Sequence, residues 1–173
     1  NRIEGDWLTQ SATWVAQAVP YHVDGRIEVR DNTNSPVLTL GEGLELQFAQ
    51  DNWLAAGLGE AGGLKIMGTS SARVVMRSVA PVATAGSWVG IVLGEYTLGG
   101  TDLDYLQISD AGQAYYSTQK GAITLDSTAS RVTIHNSTFS NNLQSDIFVD
   151  CSSTPTLNGN TTPLGVVNES PCP

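Results

Sequence analysis

The 173 residues carry 17 acidic against 8 basic side chains, for a net charge of −9 and a pI near 4.4. That balance excludes a nucleic-acid footprint and a docking face for anionic membranes, since both need clustered Lys and Arg. With 18 glycines, 40% apolar residues and no apolar stretch long enough to cross a bilayer, the composition points to one domain of strands and turns with a sizeable core, and to no membrane insertion.

The chain opens at Asn1 with neither Met nor a signal-like segment, which reads as a mature fragment or an excised domain of a larger multidomain chain. Residues 1–20 hold Trp7, Leu8, Ala12, Trp14, Val15 and Val19. Leu8, Ala12, Val15 and Val19 share one face of a helix, while the ATWV run suits a strand equally well, and Pro20 closes the stretch either way. Its position suggests a cap over the first open end of the strand-rich body that begins at Tyr21, with both tryptophans in the core of the cap.

From Tyr21 the chain becomes a succession of short runs: YHVDGRIEV, VLTL, LELQF, LKIM and VVM. None is long enough for a helix, and none is joined to the next by a tight Asn-Gly turn. Gly41-Glu42-Gly43 separates two runs as a corner. One series of apolar pairs comprises Leu44/Leu46, Leu64/Ile66, Ile91/Leu93, Ile123/Leu125 and Ile147/Val149; a second comprises Val74/Met76, Leu103/Tyr105 and Val132/Ile134, with equally spaced starts. The two alternate, giving a solenoid lap of about 20 to 32 residues. Each run has an aliphatic face and a mixed face, and its like returns only one lap later, which favours parallel stacking with inward aliphatic ladders. The equal spacing predicts outward rows Arg73–Asp102–Arg131, Val75–Asp104–Thr133 and Arg77–Leu106–His135, the first a ladder of alternating charge.

The ordered pieces TW…PYHVDGRIEV (13–29), LTLGEGLELQF (38–48), GGLKIMGT (62–69), GSWVGIVL (86–93), LDYLQISDAG (103–112), GAITLD (121–126) and VTIHNSTFSNN (132–142) cover nearly the whole chain. Together they resemble the right-handed parallel β-helix proteins of the pectate-lyase-like superfold, above all the β-helix repeat domains of large bacterial surface and secreted proteins. The expected fold class is therefore all-β: a right-handed, single-stranded parallel β-helix of about five to six coils with an N-terminal cap. Residues 1–20 would be the cap, 21–150 the coils, and 151–173 a C-terminal coil remnant and tail. The resemblance implies three parallel sheets per coil, and places Asn142 at a bend that tolerates the left-handed region.

Enzymes of this superfold cut acidic polysaccharides, so a catalytic member would be a polysaccharide lyase or a glycoside hydrolase. The hydrolases need paired carboxylates, but their strings Asn-x-Asp, Asp-Asp, Gly-His-Gly and Arg-x-Lys are absent. Lyase-like elimination needs acidic calcium ligands on one outer face and an Arg or Lys base. Asp102 and Asp104, two residues apart near Arg77 and Arg131, are the candidate metal ligands, with a solvated charge ladder as the competing reading. His135, near Arg77 and Thr133, has no partner in this reading, and His22 belongs with the cap. No phosphate loop, zinc spacing or nucleophile elbow occurs, and no catalytic residue is assigned.

For binding, the insert DAGQAYYSTQK (110–120) offers Tyr115 and Tyr116, and Trp53 stands in a loop of its own; such rings stack on sugars or a protein partner, or else pack on the solenoid wall. Ile147/Val149 forms one more lap and Leu157 begins another; the open edge there is either covered by the returning tail or continued by a following domain. Cys151 and Cys172, separated by a polar loop, read as a disulfide, with two free thiols as the alternative; a bridge favours an extracellular or cell-surface setting. These features describe a non-catalytic structural, adhesion or display module whose partners are polysaccharide or other surface proteins. The alternative is a carbohydrate-binding or polysaccharide-cleaving domain assisted by calcium.

Overall fold

The computed structural model describes residues 1–114, 121–127 and 132–170. Among these residues no helix occurs, and the strands follow one another in threes. The first three are β1 (Arg2–Ile3), β2 (Asp6–Leu8) and β3 (Ala12–Trp14), followed by β4 (Tyr21–Val23), β5 (Ile27–Val29) and β6 (Val37–Gly41). Then come β7 (Glu45–Phe48), β8 (Trp53–Ala56) and β9 (Gly63–Met67), and after them β10 (Val74–Ser78), β11 (Gly90–Leu93) and β12 (Thr101–Asp104). The remainder are β13 (Leu106–Ser109), β14 (Gly121–Leu125), β15 (Val132–His135), β16 (Thr138–Ser140), β17 (Ser145–Val149), β18 (Thr156–Asn158) and β19 (Val166–Asn168).

Nearly every strand pairs in parallel with the strand three elements away, so three sheets grow side by side. The first is β1-β4-β7-β10-β13-β16, the second β2-β5-β8-β11-β14-β17-β19, and the third β3-β6-β9-β12-β15-β18. This all-β arrangement of three parallel sheets is that of a parallel β-helix-like solenoid. Laps differ in length: a short one carries Arg2 to His22, a long one Leu54 to Ile91. The corners absorb the difference. The expected Gly-Glu-Gly corner is one of them, with Gly43 at φ 69. Where laps touch backbone to backbone, glycine is obligatory: a Cβ on Gly25 would stand 1.8 Å from the Glu4 carbonyl oxygen.

The core is a set of stacked side chains in register. In the second sheet Ile27, Leu54, Ile91, Ile123 and Ile147 form one row, and Val29, Ala56, Leu93, Leu125 and Val149 the next, all buried. Leu40, Ile66, Leu103 and Ile134 form a buried row in the third, ended by the partly buried Trp14 and Leu157, and Leu46, Met76, Ile108 and Phe139 form one in the first. Strand alternation sends every second residue inward, and removing each such aliphatic side chain from water contributes about 1.5–3 kcal/mol. Phe48 and Trp88 stack inside the solenoid with centroids 4.1 Å apart, and the buried Trp88 Nε1–H donates to the Ser109 carbonyl at 2.7 Å.

Several expectations change. The helical alternative for residues 1–20 is not formed. The stretch is laid down as β1–β3, the outermost strand of each sheet, because Leu8, Ala12 and Trp14 find the core at a strand period while Val15 and Val19 stay exposed. The equal-spacing register fails: Val74 lies against Leu106, not Leu103, and Leu103 lies against Ile134 and Ile66. The reasons are that Val74/Met76 belong to the first sheet and Leu103 to the third, so the first step linked different sheets, and that Val132 pairs with Thr101, so the second step within the third sheet was two residues out of phase. The Arg73–Asp102 step of the charge ladder therefore does not exist, and Arg131 lies outside the described residues. Asn142 also leaves the left-handed region to its neighbours Asn141 (φ 50) and Gln144 (φ 68). Asn142 instead sits buried, accepting from the Ala111 amide at 3.0 Å and donating to Asp146 Oδ1 at 3.0 Å. At the C-terminal end, Ile147 and Val149 build β17, Leu157 lies in β18 beside Ile134, and β19 returns alongside β17.

The ladders make a direct prediction for denaturant unfolding. Ile123→Ala, in the middle of a buried row, lowers stability by about 2–5 kcal/mol, whereas Thr133→Ala on an outward face changes it by no more than about 0.5 kcal/mol. Equal effects at the two positions would contradict the ladder account.

Candidate functional site

Strand β12 carries Leu103 inward and so turns Asp102 and Asp104 outward onto one face of the third sheet. Their neighbours across the laps are Lys65 and Met67 on β9 and Thr133 and His135 on β15. Sequence alone gives His135 no partner; the observed register supplies two. His135 Nε2 lies 2.9 Å from Asp102 Oδ1, and its Nδ1 lies 3.5 Å from Asp104 Oδ1. Asn136 Nδ2 donates to Asp104 Oδ1 at 2.9 Å, and Arg73 Nη1 donates to the Asn136 carbonyl at 2.7 Å. Arg77 is elsewhere, on the first sheet, paired with Glu45 Oε1 at 2.7 Å. The signal for this cluster was available in sequence: anchoring the register on the inward Leu103 and Ile134 brings Asp102 and Asp104 beside Thr133 and His135.

The arrangement suits a surface network better than a reaction. A histidine base needs one nitrogen held by an orienting group and the other turned toward substrate, but here Nε2 faces the Asp102 carboxylate and Nδ1 faces the Asn136 amide at 3.3 Å and the Asp104 carboxylate at 3.5 Å. Calcium demands about six to eight oxygen ligands. Asp102 and Asp104 face an imidazole, which is no calcium ligand, and an amide donor on Asn136, so the pair does not fit a calcium site. Among the described residues no group of three or more His, Cys, Asp or Glu side chains has the placement to hold a metal ion.

The expected ring sites are redistributed. Tyr115 and Tyr116 lie outside the described residues, as does Cys172, the expected partner of Cys151. Trp53 is not in a loop but begins β8. It is 4% exposed, packed with Ala55 and Val89 on the outer side of the second sheet, and covered by the Arg26 guanidinium 4.2 Å from its ring centroid. Trp14 half-buries against Tyr21, with ring centroids 6.1 Å apart. Trp7, expected inside a cap, is 58% exposed, because Leu8 takes the inward position and strand alternation sends its neighbour out. The Arg30 guanidinium lies 4.0 Å from the Trp7 centroid; Arg30 itself pairs with Glu28 at 3.3 Å and donates from Nη1 to the Leu58 carbonyl at 3.0 Å. Beside Trp7 runs an open groove of about 360 Å³, lined by Glu4, Asp6, Arg26, Glu28 and Asn52 over a floor of Gly5 and Gly25.

Compared with family models, curated proteins and solved structures, the chain shows no match. Its class is defined by its own topology: three parallel sheets wound lap upon lap around an aliphatic interior.

Electrostatics at the C-terminal corner yields a pH prediction. Partial burial opposes the charge on Asp150, but hydrogen bonds from the Ser153 and Ser152 hydroxyls and the Ser127 amide outweigh it and hold the carboxyl below its ordinary value of 3.8. A carboxyl lowered by folding stabilises the fold above the unfolded value, and that contribution disappears as pH falls through the folded value. Asp150→Asn should therefore be less stable than the parent at neutral pH, with the difference closing in acid below 3.8. A difference unchanged by pH would contradict the carboxylate's role.

Proposed function

We propose that this chain is a right-handed parallel β-helix module of the pectate-lyase-like kind, acting as a non-catalytic structural, adhesion or display element of a larger bacterial surface or secreted protein. The observation that carries the reading is the engagement of His135 by Asp102 and Asp104, which ties the one imidazole of this face to neighbouring carboxylates and not to a substrate. The absence from the sequence of the paired-carboxylate strings of the superfold's hydrolases points the same way. A rigid stack of laps, each held by its neighbours, suits display: it sets distance and orientation without needing to close on a substrate.

The test is incubation of the purified chain with polygalacturonate, with and without added calcium, while unsaturated uronates and new reducing ends are followed. No product is expected in either condition. Sustained product formation lost in Asp102→Asn/Asp104→Asn would overturn the non-catalytic reading and restore the lyase alternative.

The extracellular setting has its own test through Cys151 and Cys172. A bridge closing that loop contributes about 3 kcal/mol, so the untreated, denatured chain should give no reaction with a thiol reagent, and reduction should lower the unfolding midpoint. Two reactive thiols before reduction would remove the argument for an oxidising compartment.

A further inference from the structure

We infer that the groove beside Trp7 is a binding site for neutral oligosaccharide chains, with the Trp7 indole as the stacking platform. The inference gives the adhesion role a ligand and goes beyond the non-catalytic reading: it fails on a binding measurement, whereas that reading fails only on product formation.

Four observations carry it. First, Trp7 is large, apolar and 58% exposed, while Trp53 and Trp88 are buried and Trp14 is half-buried. Second, the ring is held on a strand, not on a mobile loop. One contact is Arg30, itself fixed by Glu28 and the Leu58 carbonyl, so little side-chain freedom remains to be lost when a ligand stacks on the ring. Third, Trp7 borders a groove, and sugar rings present one C–H-rich face for stacking while their hydroxyls point sideways. Carboxylates and an amide at the groove walls, from Glu4, Asp6, Glu28 and Asn52, are suited to accept from those hydroxyls. Asp6 is already oriented by the Trp7 amide, which donates to its Oδ1 at 2.7 Å.

The fourth observation is charge. Three carboxylates line the groove against Arg26, with Arg30 paired to one of them, Glu28, so the groove keeps a net negative charge, and the whole chain carries −9. A polyuronate would meet repulsion at the groove and over the surface around it. The fitting ligand is therefore an uncharged glycan, not the acidic polymer that lyases and polygalacturonases cut. A further lap of chain beyond β2 would not do the same job, since an added strand pairs in the plane of the sheet and lies beside an outward ring, not across its face.

The experiment uses the whole chain and a panel of neutral hexasaccharides (cellohexaose, xylohexaose, mannohexaose and laminarihexaose), with oligogalacturonate as the charged comparison. Binding is read by isothermal titration and by protection of tryptophan fluorescence from acrylamide. At least one neutral hexasaccharide should bind and shield an exposed tryptophan. Trp7→Ala should weaken it by about tenfold or more, as removal of an aromatic anchor does, with the circular dichroism of the parent retained. Trp7→Phe should keep part of the affinity, and Arg30→Ala should weaken binding while leaving the ring present. Asp102→Asn, on another sheet, should change nothing. Absence of binding by every neutral hexasaccharide, binding that survives Trp7→Ala, or a preference for oligogalacturonate would each overturn the inference.

Discussion

The whole structure depends on the fact that its strands cannot pair with their neighbours in sequence. Each is two to five residues long and is followed by a corner that carries the chain into a different sheet. Its amides and carbonyls can be matched only by the equivalent strand one lap earlier and one lap later. Once that pairing is required, the inward residues of every lap must fall in phase, because a slip by one position would turn Leu103 outward and bury Asp102 and Asp104. The aliphatic rows are thus both the source of cohesion and the register device. Lap length is left free, and the corners take up whatever differences insertions produce.

This constraint also divides the labour between faces. Inward positions are committed to the core, while outward positions are free to vary and gain neighbours from other laps. Chemistry on this scaffold is assembled across laps: the imidazole of His135 meets carboxylates from the preceding strand of its sheet, and Trp7 meets an arginine beyond the next lap's β5. The two outer clusters differ in what they leave available. Around His135 the carboxylates, the imidazole and the Asn136 amide engage one another, which makes the cluster a lock between laps. Around Trp7 the ring is contacted by Arg30 and borders an open groove, which makes it a place for something else to sit.

How much of this could be read from sequence depends on which signals are local. Parallel stacking, the inward pairs Ile91/Leu93, Ile123/Leu125 and Ile147/Val149, and the Gly43 corner were legible because alternation and glycine act within a few residues. The phase between laps was not, since it depends on corner lengths that leave no periodic trace; an accidental equal spacing joins Val74 to Leu103 across two sheets. That coincidence sets Arg73 opposite Asp102, and the equal step from Leu103 to Val132, two residues out of phase within the third sheet, hides the His135 partners. Trp53 and Trp7 exchange roles for a related reason. Neighbouring sequence makes Trp53 look like a loop residue and Trp7 like part of a core, but alternation decides both once Leu54 and Leu8 are known to point inward. Tyr115 and Tyr116 fall outside the described residues, and the register of the laps neither adds to nor subtracts from their candidacy as stacking rings.

Both ends of such a stack expose strand edges, and the two ends meet this hazard differently. At the C-terminal end the tail doubles back: β19 pairs with β17, and Thr161 bridges to Thr138, so that the last strands of two sheets have backbone partners supplied by the tail. At the N-terminal end β1, β2 and β3 have a neighbour on one side only among the described residues, yet they are two or three residues long and carry or adjoin Arg2, Glu4 and Asp6. Short strands and charges are the usual means of discouraging edge-to-edge association. Glu4 and Asp6 also form walls of the groove beside Trp7. These carboxylates bias the neighbouring groove toward ligands rich in hydroxyls and free of negative charge.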